Sequence, residues 1–597
     1  MKIFFIVLIM SLFGDSYSGE FQNNLFINDK GREIRIQPDV MNKSGVINSS
    51  GKFSVVNNNE TDSFPVFGGF PVIVNGQSYE GGIICQMDSD TELEIVYGIG
   101  TTLQAWNPDG SSVSGWPINL SYNAQGAPAL GDIDGDGQDE IVLGTSNFFG
   151  TAGAIYAFRK NGTAVTGFPV NLGATSRTIV LSDLDNNGAL EIITNKRLSS
   201  AGEIWIYKGN GTVYPGWPKT INHVPASSSA AGDITGDGIP EIISESYTSL
   251  YAWDRDGNLI NGFPYSMPYN DVNSYSAPVL ADVDGDNIRE ILFGTHVTGS
   301  GGGGFLYILK NNGTVLNGWP KQTNWWIYGP PVLGYVNDDN IIDILVGDQI
   351  GSASPSNYVY GWDKNGNVLS GFPIGPINAV NNQIALGDID NDNRLELLID
   401  DNTQLSGAGK YLAFNHDGTP LNEWTLPVTG TSFFNMPCLG DINSNGILDV
   451  IGAGFTAGGS NQTFVYAWNT GITYNAQRIV NPVWQFNTRH NGVYGDNGIV
   501  SIGSASSSEI EEFSLSQNYP NPFNPRTIIR FQLSAANFVT LKVYNLLGKG
   551  VATLVNERIT GGNHQVEFDG SELPSGIYFY ELRLGTFSQV KGMLLLK

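Results

Sequence analysis

Apolar and polar positions along residues 60–495 fall into short strand-like runs, and no stretch there carries the spacing of an amphipathic helix. One grammar recurs. A short apolar run such as Ala127-Pro128-Ala129-Leu130 leads into an acidic loop, and an apolar strand follows, as in Glu140-Ile141-Val142-Leu143-Gly144. Next comes an aromatic alternating strand, Ile155-Tyr156-Ala157-Phe158 or Leu250-Tyr251-Ala252-Trp253, and then a turn such as Asn161-Gly162, Asp256-Gly257, Asn312-Gly313 or Asn365-Gly366. Such pairs tolerate positive φ and read as hairpin turns. The unit closes with Gly-aromatic-Pro, at Gly115, Gly167, Gly216, Gly262, Gly318 and Gly371. The pattern predicts four short strands per unit.

The acidic loop sets the period. Its fullest copy is Gly131-Asp132-Ile133-Asp134-Gly135-Asp136-Gly137-Gln138-Asp139-Glu140-Ile141, with further copies starting at Asp183, Asp233, Asp282, Asp388 and Asp441 and degraded ones at Gln86 and Tyr335. Starts lie about 46 to 53 residues apart, the spacing of a repeat whose units bury their apolar faces only against neighbours. Four-stranded units repeated radially make propeller blades. An extra Gly69-Phe70-Pro71 precedes the first loop, and the last unit has its aromatic strand, Val465-Tyr466-Ala467-Trp468, without a Gly-aromatic-Pro after it. The N-terminal piece is therefore expected to supply the outer strand of the last blade. The expected fold is all-β: an eight-bladed β-propeller, with seven blades as the alternative, followed by a small C-terminal β-sandwich.

Composition narrows the function. The chain has 597 residues, 75 of them glycine, and a formal net charge of −27 from 57 acidic and 30 basic residues. That charge argues against nucleic-acid binding, which needs a basic footprint. Residues 1–19 read as a secretory signal peptide: Lys2, then the apolar run Ile3 to Phe13, then the small-residue site Ser16-Tyr17-Ser18. The run is too short to span a bilayer, and no other segment reads as transmembrane. The only cysteines, Cys85 and Cys438, fall on the same strand of the first and last units. A disulfide between them is one reading; two buried free thiols is the preferred one.

The loops carry the candidate chemistry. Calcium takes six to eight oxygen ligands, which closely spaced carboxylates on a tight turn supply. The best copy offers Asp132, Asp134 and Asp136 at positions one, three and five, the Gln138 carbonyl, and Glu140 at position nine. Equivalent sets are Asp183, Asp185, Asn187 and Glu191; Asp233, Thr235, Asp237 and Glu241; Asp282, Asp284, Asp286 and Glu290; Asp388, Asp390, Asp392 and Glu396; and the weaker Asp441, Asn443, Asn445 and Asp449. The degraded loops keep Asp88, Asp90 and Glu94, and Asn337, Asp339 and Asp343, and whether they bind metal stays open. One copy alone would read equally well as an Asp/Gly turn. Several in register point to structural calcium ions, because carboxylates crowded on one turn repel unless a cation neutralises them.

These repeats resemble the FG-GAP (VCBS-type) calcium-loop β-propeller repeats of integrin α-subunit heads and many secreted bacterial proteins, over about residues 64–495. Trp484-Gln485-Phe486 with Arg489-His490-Asn491-Gly492 resembles the tail that ends bacterial arrays of this kind. After a Ser/Glu-rich linker at 499–512, residues 513–597 read as a small β-sandwich with strands at Thr527–Leu533 and Val539–Asn545. The stretch Tyr519-Pro520-Asn521-Pro522-Phe523-Asn524-Pro525 and the ending Lys591-Gly592-Met593-Leu594-Leu595-Leu596-Lys597 resemble the type A C-terminal sorting domain of the type IX secretion system, with Lys549-Gly550 in place of the usual Gln-Glu. The resemblance implies partnership with that secretion machinery, and release or surface attachment outside the cell. The domain reading is thus signal peptide 1–19, polar segment 20–60, propeller 61–498, linker 499–512 and sorting domain 513–597.

No catalytic constellation emerges. Gly-x-Ser-x-Gly and His-Glu-x-x-His are absent, and Gly299 to Gly304 is followed by a strand where a dinucleotide site needs a helix. The five histidines, His223, His296, His416, His490 and His564, are scattered. Ligand contacts are expected on the long loops opposite the acidic ones, at Trp325, Trp326, Tyr328, Phe148 and Phe149, with packing between blades as the competing role. The favoured function is a non-catalytic, calcium-binding propeller that binds a polysaccharide or an extracellular protein. A secreted polysaccharide-degrading lyase or glycosidase is the alternative, and a structural part of a surface assembly the third reading.

Overall fold

The computed structural model describes residues 64–496 and 513–597, except 148–149, 174–177, 269, 274, 299–301, 338, 340, 350–354, 403–408, 434, 457–460, 516–517, 519–520, 522, 534–536, 546–548, 560–561, 572 and 585–586. Nearer the N terminus it describes only the short strands Leu25–Ile27 paired with Glu33–Arg35 and Gly45–Ile47 paired with Phe53–Val55. The segment read as a signal peptide, the 499–512 linker, Phe148 and Phe149 lie outside the described residues. The chain forms two compact units, Met1–Gly503 and Ser504–Lys597.

Unit one is all-β. Its helical content among the described residues is two single 3-10 turns, Ala476–Arg478 and Trp484–Phe486. Eight antiparallel sheets follow one another, with first strands at Ile83–Cys85, Ala129–Gly131, Val180–Ser182, Ala230–Gly232, Val279–Ala281, Val332–Gly334, Ala385–Gly387 and Cys438–Gly440. In the third sheet the strands Val180–Ser182, Glu191–Arg197, Gly202–Tyr207 and Lys219–Ile221 pair in chain order, and the others follow this plan. In the second and fifth sheets a further segment, Asn123–Ala124 or Asp271–Asn273, pairs with the far end of the long second strand. The eighth sheet takes its fourth strand from far upstream: Val72–Asn75 pairs with Gln462–Val465.

Each sheet buries its apolar face against the next. Ile83 and Leu103 of the first share a cluster with Leu130 and Leu143 of the second, and this continues from sheet to sheet. A further cluster joins Ile84 and Tyr97 of the first to Cys438 and Val465 of the eighth. Cys85 and Cys438 are buried free thiols, and the Cys438 thiol lies 3.2 Å from the Gly82 carbonyl.

The Gly-aromatic-Pro signature forms the joint between sheets. The Trp116, Trp217 and Trp319 indole N–H groups donate to Lys160, Arg255 and Lys364 carbonyls of the following sheet at 2.9, 2.9 and 3.1 Å. The glycine is required by close approach. At Gly167, φ is +101° and a Cβ would fall 2.1 Å from the Asn210 carbonyl oxygen of the next turn. Gly69, beside the fourth strand of the eighth sheet, abuts the Asp109 carbonyl of the first in the same way.

The first strands converge on one segment. Ile479–Asn481 extends the seventh sheet by pairing with Ala385–Gly387. Beyond it, Leu439 N–H donates to Pro482 O (3.0 Å), Leu130 to Thr488 (2.8 Å), Leu181 to Arg489 (2.9 Å), Ala231 to Asn491 (2.9 Å) and Leu280 to Gly492 (2.8 Å). Fourteen consecutive residues, 479–492, therefore bond six first strands. Gln485 is buried among them: its N–H donates to Gln383 Oε1 (2.7 Å) and its amide to the Ser229 carbonyl (3.1 Å). His490, wholly buried, sets its two ring nitrogens 2.8 Å from the Trp484 and Pro128 carbonyl oxygens.

Unit two holds two sheets around one core. Phe513–Leu515, Arg526–Leu533 and Gly562–Asp569 form one; Gly550–Ile559, Asn537–Asn545, Gly576–Leu584 and Phe587–Leu595 form the other. Ile529, Phe531, Leu541 and Tyr580 are fully or almost fully buried within it.

Replacing His490 with alanine leaves buried carbonyls without partners. The expected loss of stability is about 2–4 kcal/mol, read as a lowered urea midpoint of the full chain at unchanged slope. An unchanged midpoint would show that the 479–492 segment does not brace the first strands.

Candidate metal loops and aromatic face

All eight acidic loops share one hydrogen bond. The N–H of the loop's second residue donates to the carboxylate that opens the following strand: Met87 to Glu94 (2.5 Å), Ile133 to Glu140 (3.2 Å), Leu184 to Glu191 (3.0 Å) and Ile234 to Glu241 (2.9 Å). The same bond joins Val283 to Glu290 (2.9 Å), Val336 to Asp343 (3.0 Å), Ile389 to Glu396 (3.0 Å) and Ile442 to Asp449 (3.0 Å). The position-one aspartate folds the turn. Asp132 Oδ1 accepts from Gly135 N–H (2.7 Å) and Oδ2 from Gly137 N–H (2.8 Å); Asp183, Asp233, Asp282, Asp388 and Asp441 do likewise. Loop positions four and six are left-handed, as at Gly135 (φ +75°) and Gly137 (φ +83°) or Asn391 (+68°) and Asn393 (+72°), which is why Gly and Asn recur there. Position five accepts from position seven: Asp136 from Gln138 (2.9 Å), Asn187 from Ala189, Asp237 from Ile239, Asp286 from Ile288, Asp392 from Arg394 and Asn445 from Ile447.

The closing carboxylates are the buried members. Glu94, Glu140, Asp343, Glu396 and Asp449 have essentially no exposed surface, and Glu191, Glu241 and Glu290 very little. Burial pushes the carboxyls of Glu94, Glu140, Glu191, Glu241 and Glu290 up to about 7 and Glu396 to about 8. Asp449 is pushed to about 7 and Asp343 to about 6, by the same cause. In four loops the second carboxylate oxygen has no protein partner: Glu94 Oε1, Asp343 Oδ1, Glu396 Oε1 and Asp449 Oδ1. Asp185 Oδ1 and Asn443 Oδ1, at position three, are likewise buried without one.

The donor atoms are close enough to share an ion. Asp388, Asp390, Asp392 and Glu396 each offer an oxygen within 4.8 Å of the others, as do Asp183, Asp185 and Glu191, Asp132, Asp134 and Asp136, and Asp88, Asp90 and Glu94. Buried carboxylate oxygens without a hydrogen-bond donor fit a hard cation, and His416 adds a ring nitrogen within 4.8 Å of the Asp392 and Glu396 oxygens. The Gln86 and Tyr335 loops, degraded in sequence, keep the closing bond and its orphaned oxygen.

A second cluster gathers residues that the sequence leaves scattered. Ring centroids run from His223 to Tyr247 (5.1 Å), Tyr247 to His296 (5.8 Å), His296 to Trp326 (5.0 Å), Trp326 to Tyr328 (6.1 Å) and Tyr328 to Tyr275 (4.9 Å). The ladder crosses the fourth, fifth and sixth sheets, at strand ends far from the acidic loops. Tyr275 is 39% exposed, and His223, Tyr247, His296, Trp326 and Tyr328 are half-buried. The Tyr247 hydroxyl lies 3.4 Å from His296 Nε2, and burial lowers the His296 pKa to about 4. Trp326 and Tyr328, expected from sequence, are in the ladder. Trp325 is instead pinned, its indole N–H donating to the Ser356 carbonyl at 2.8 Å. His223, Tyr247, Tyr275 and His296 were missed, because only folding brings corresponding ends of neighbouring sheets together.

No described helix is long and apolar enough to cross a membrane. The FG-GAP-like repeat family matches residues 132–194 and 183–244, and the secretion system C-terminal sorting domain matches residues 517–595. No curated protein gives a significant match. Among solved structures, the V. cholerae biofilm matrix protein Bap1 is 14% identical, with a TM-score of 0.46, covering 72% of this chain and 97% of that one. The Dos1 propeller is 11% identical, with a TM-score of 0.34, covering 68% and 94%. PorZ, a surface component of the type IX secretion system of Porphyromonas gingivalis, is 11% identical, with a TM-score of 0.23, covering 93% and 90%. Likenesses this low bear no functional weight. Residues 132–244 thus carry FG-GAP-like repeats and residues 517–595 a secretion system C-terminal sorting domain, which indicates export to the cell surface or beyond.

Proposed function

We propose that residues 61–498 form a closed, eight-bladed, calcium-stabilised β-propeller that binds an uncharged polysaccharide outside the cell without cleaving it. In this reading residues 499–512 are a linker and 513–597 the domain that engages the secretion machinery. Closure is supported by the apolar cluster and the Gly69–Asp109 approach between the eighth and first sheets, and by six first strands converging on 479–492.

The observation that carries the calcium reading is the set of orphaned, buried carboxylate oxygens. Calcium would supply the positive charge and oxygen coordination that these groups lack. Asp388, Asp390, Asp392 and Glu396 are the strongest set, and the closing acid of each loop would anchor the ion while its other oxygen keeps the strand bond. The aromatic ladder supports the glycan reading, because half-exposed rings in series offer faces on which sugar rings stack. The net charge of −27 repels polyanions and so favours an uncharged polymer. The second reading, a lyase, rests on one contact: a neutral His296 beside the Tyr247 hydroxyl offers a base and an acid.

The pH dependence follows from the closing acids. Their folded pKa lies above the ordinary 4.5 of glutamate, so each favours folding in its protonated form. That contribution is complete at low pH and is lost as pH rises through about 7 to about 8. In EGTA the thermal midpoint of the full chain is expected to fall between about pH 5.5 and about pH 8. Calcium is expected to raise the midpoint most at the alkaline end, because binding displaces those protons. A calcium-independent midpoint at about pH 8 would refute the metal reading.

For the ligand face, affinity electrophoresis of the full chain through neutral and acidic polysaccharides is the direct check. Retention by a neutral polymer, weakened about tenfold (about 1.4 kcal/mol) in Trp326→Ala, is expected. New chain ends, abolished by His296→Ala, would establish the enzyme instead. Retention in no polymer would move the ligand to a protein.

A further inference from the structure

The loop with the fullest acidic sequence already holds a cation, and it is a side chain. Arg159 ends the third strand of the second sheet and pairs across the ladder with Glu140. Its Nη2 lies 2.7 Å from Asp134 Oδ2, and its Nη1 lies 2.6 Å from Asp136 Oδ2 and 3.4 Å from Glu140 Oε1. These are the loop's position-three, -five and -nine carboxylates, the ones an ion would need. Both Asp132 oxygens are engaged by backbone N–H groups. A guanidinium is permanently charged and forked, so it meets several carboxylates at once. A guanidinium and a divalent ion cannot share those three carboxylates, because like charges a few ångströms apart repel.

The fifth sheet repeats the device. Lys310 follows Leu309, the partner of Ile291, and so stands beside Glu290. Its Nζ lies 2.5 Å from Asp284 Oδ2 and 3.9 Å from Asp286 Oδ2. The corresponding cross-strand residues elsewhere differ. Asp343 faces Asp363 and Asp449 faces Asn469; Asn107 and Asn415 stand beside Glu94 and Glu396. Those four loops are the ones whose closing acid keeps an orphaned oxygen. In the third sheet the position is basic, but Lys208 Nζ is drawn over the Tyr214 ring at 5.2 Å, and Asp185 Oδ1 stays without a partner.

We propose that Arg159 and Lys310 are resident cations that keep the second and fifth loops metal-free at calcium concentrations that fill the others. Cross-strand residue identity, more than the acidity of the loop, then decides which loops take an ion. This rests on the calcium reading above. It inverts the ranking expected from loop sequence, in which the Asp132 set is the best site.

The test counts ions. The calcium-stripped full chain, wild type, Arg159→Gln and Asn469→Arg, is dialysed against calcium on the plateau of wild-type binding, and bound calcium per chain is measured by elemental analysis. Arg159→Gln is expected to bind one ion more than wild type, and Asn469→Arg one fewer. In EGTA, Arg159→Gln is expected to melt below wild type, with the gap closing on calcium addition. Equal counts in all three proteins would overturn the resident-cation assignment and leave the calcium reading standing. No bound calcium in any of them would refute both. The Asn469→Arg count keeps the proposal decidable if Arg159→Gln does not fold.

Discussion

In every repeat a carboxylate at the start of the second strand sits almost completely out of water and accepts the N–H of the loop's second residue. That one contact fixes the first strand to the second and sets the curl of the loop between them. It also creates a debt of charge, because a buried carboxylate with one oxygen unsatisfied is unfavourable unless it is protonated or neutralised. The remaining loop chemistry follows from it. The position-one aspartate is used up in folding the turn, the left-handed positions select Gly and Asn, and in several loops a position-three or -nine oxygen is left buried without a protein partner. In the Asp132 loop the neighbouring strand brings Arg159 against the position-three, -five and -nine carboxylates.

The repeats explain stacking, but a second constraint holds the sheets to a common centre. Sheet-to-sheet packing alone would allow an open array. Here the segment 479–492 bonds first strands of six sheets, and Val72–Asn75 completes the eighth. Both are long-range, so the unit is fully assembled only once both ends of the repeat region are in place. The same tail occupies the line along which the first strands converge.

What was legible in the sequence follows from locality. The loop, the Asn-Gly turn and the Gly-aromatic-Pro joint are each set by residues within a few positions, and the structure places all of them as read. The orphan Gly69-Phe70-Pro71 correctly signalled the strand that completes the eighth sheet. The tail was visible only as a resemblance, since its partners, such as Pro128 for His490, lie hundreds of residues away. The His223–Tyr247–His296 ladder was illegible for the same reason: its members come from different repeats. Loop acidity and the placement of the orphaned oxygens do not run in parallel. The Gln86 and Tyr335 loops, poorest in acids, keep an orphaned closing oxygen as the Asp388 and Asp441 loops do, while the carboxylates of the Asp132 loop contact Arg159.

The central claim is that the buried closing carboxylates are metal ligands, and anomalous diffraction from crystals of the full chain grown with a calcium-mimicking lanthanide addresses it most directly. The account predicts peaks about 2.3–2.6 Å from Glu396 and Asp449 oxygens, in the loops whose acids lack any other partner. Well-ordered loops with no anomalous peak near any closing carboxylate would contradict it.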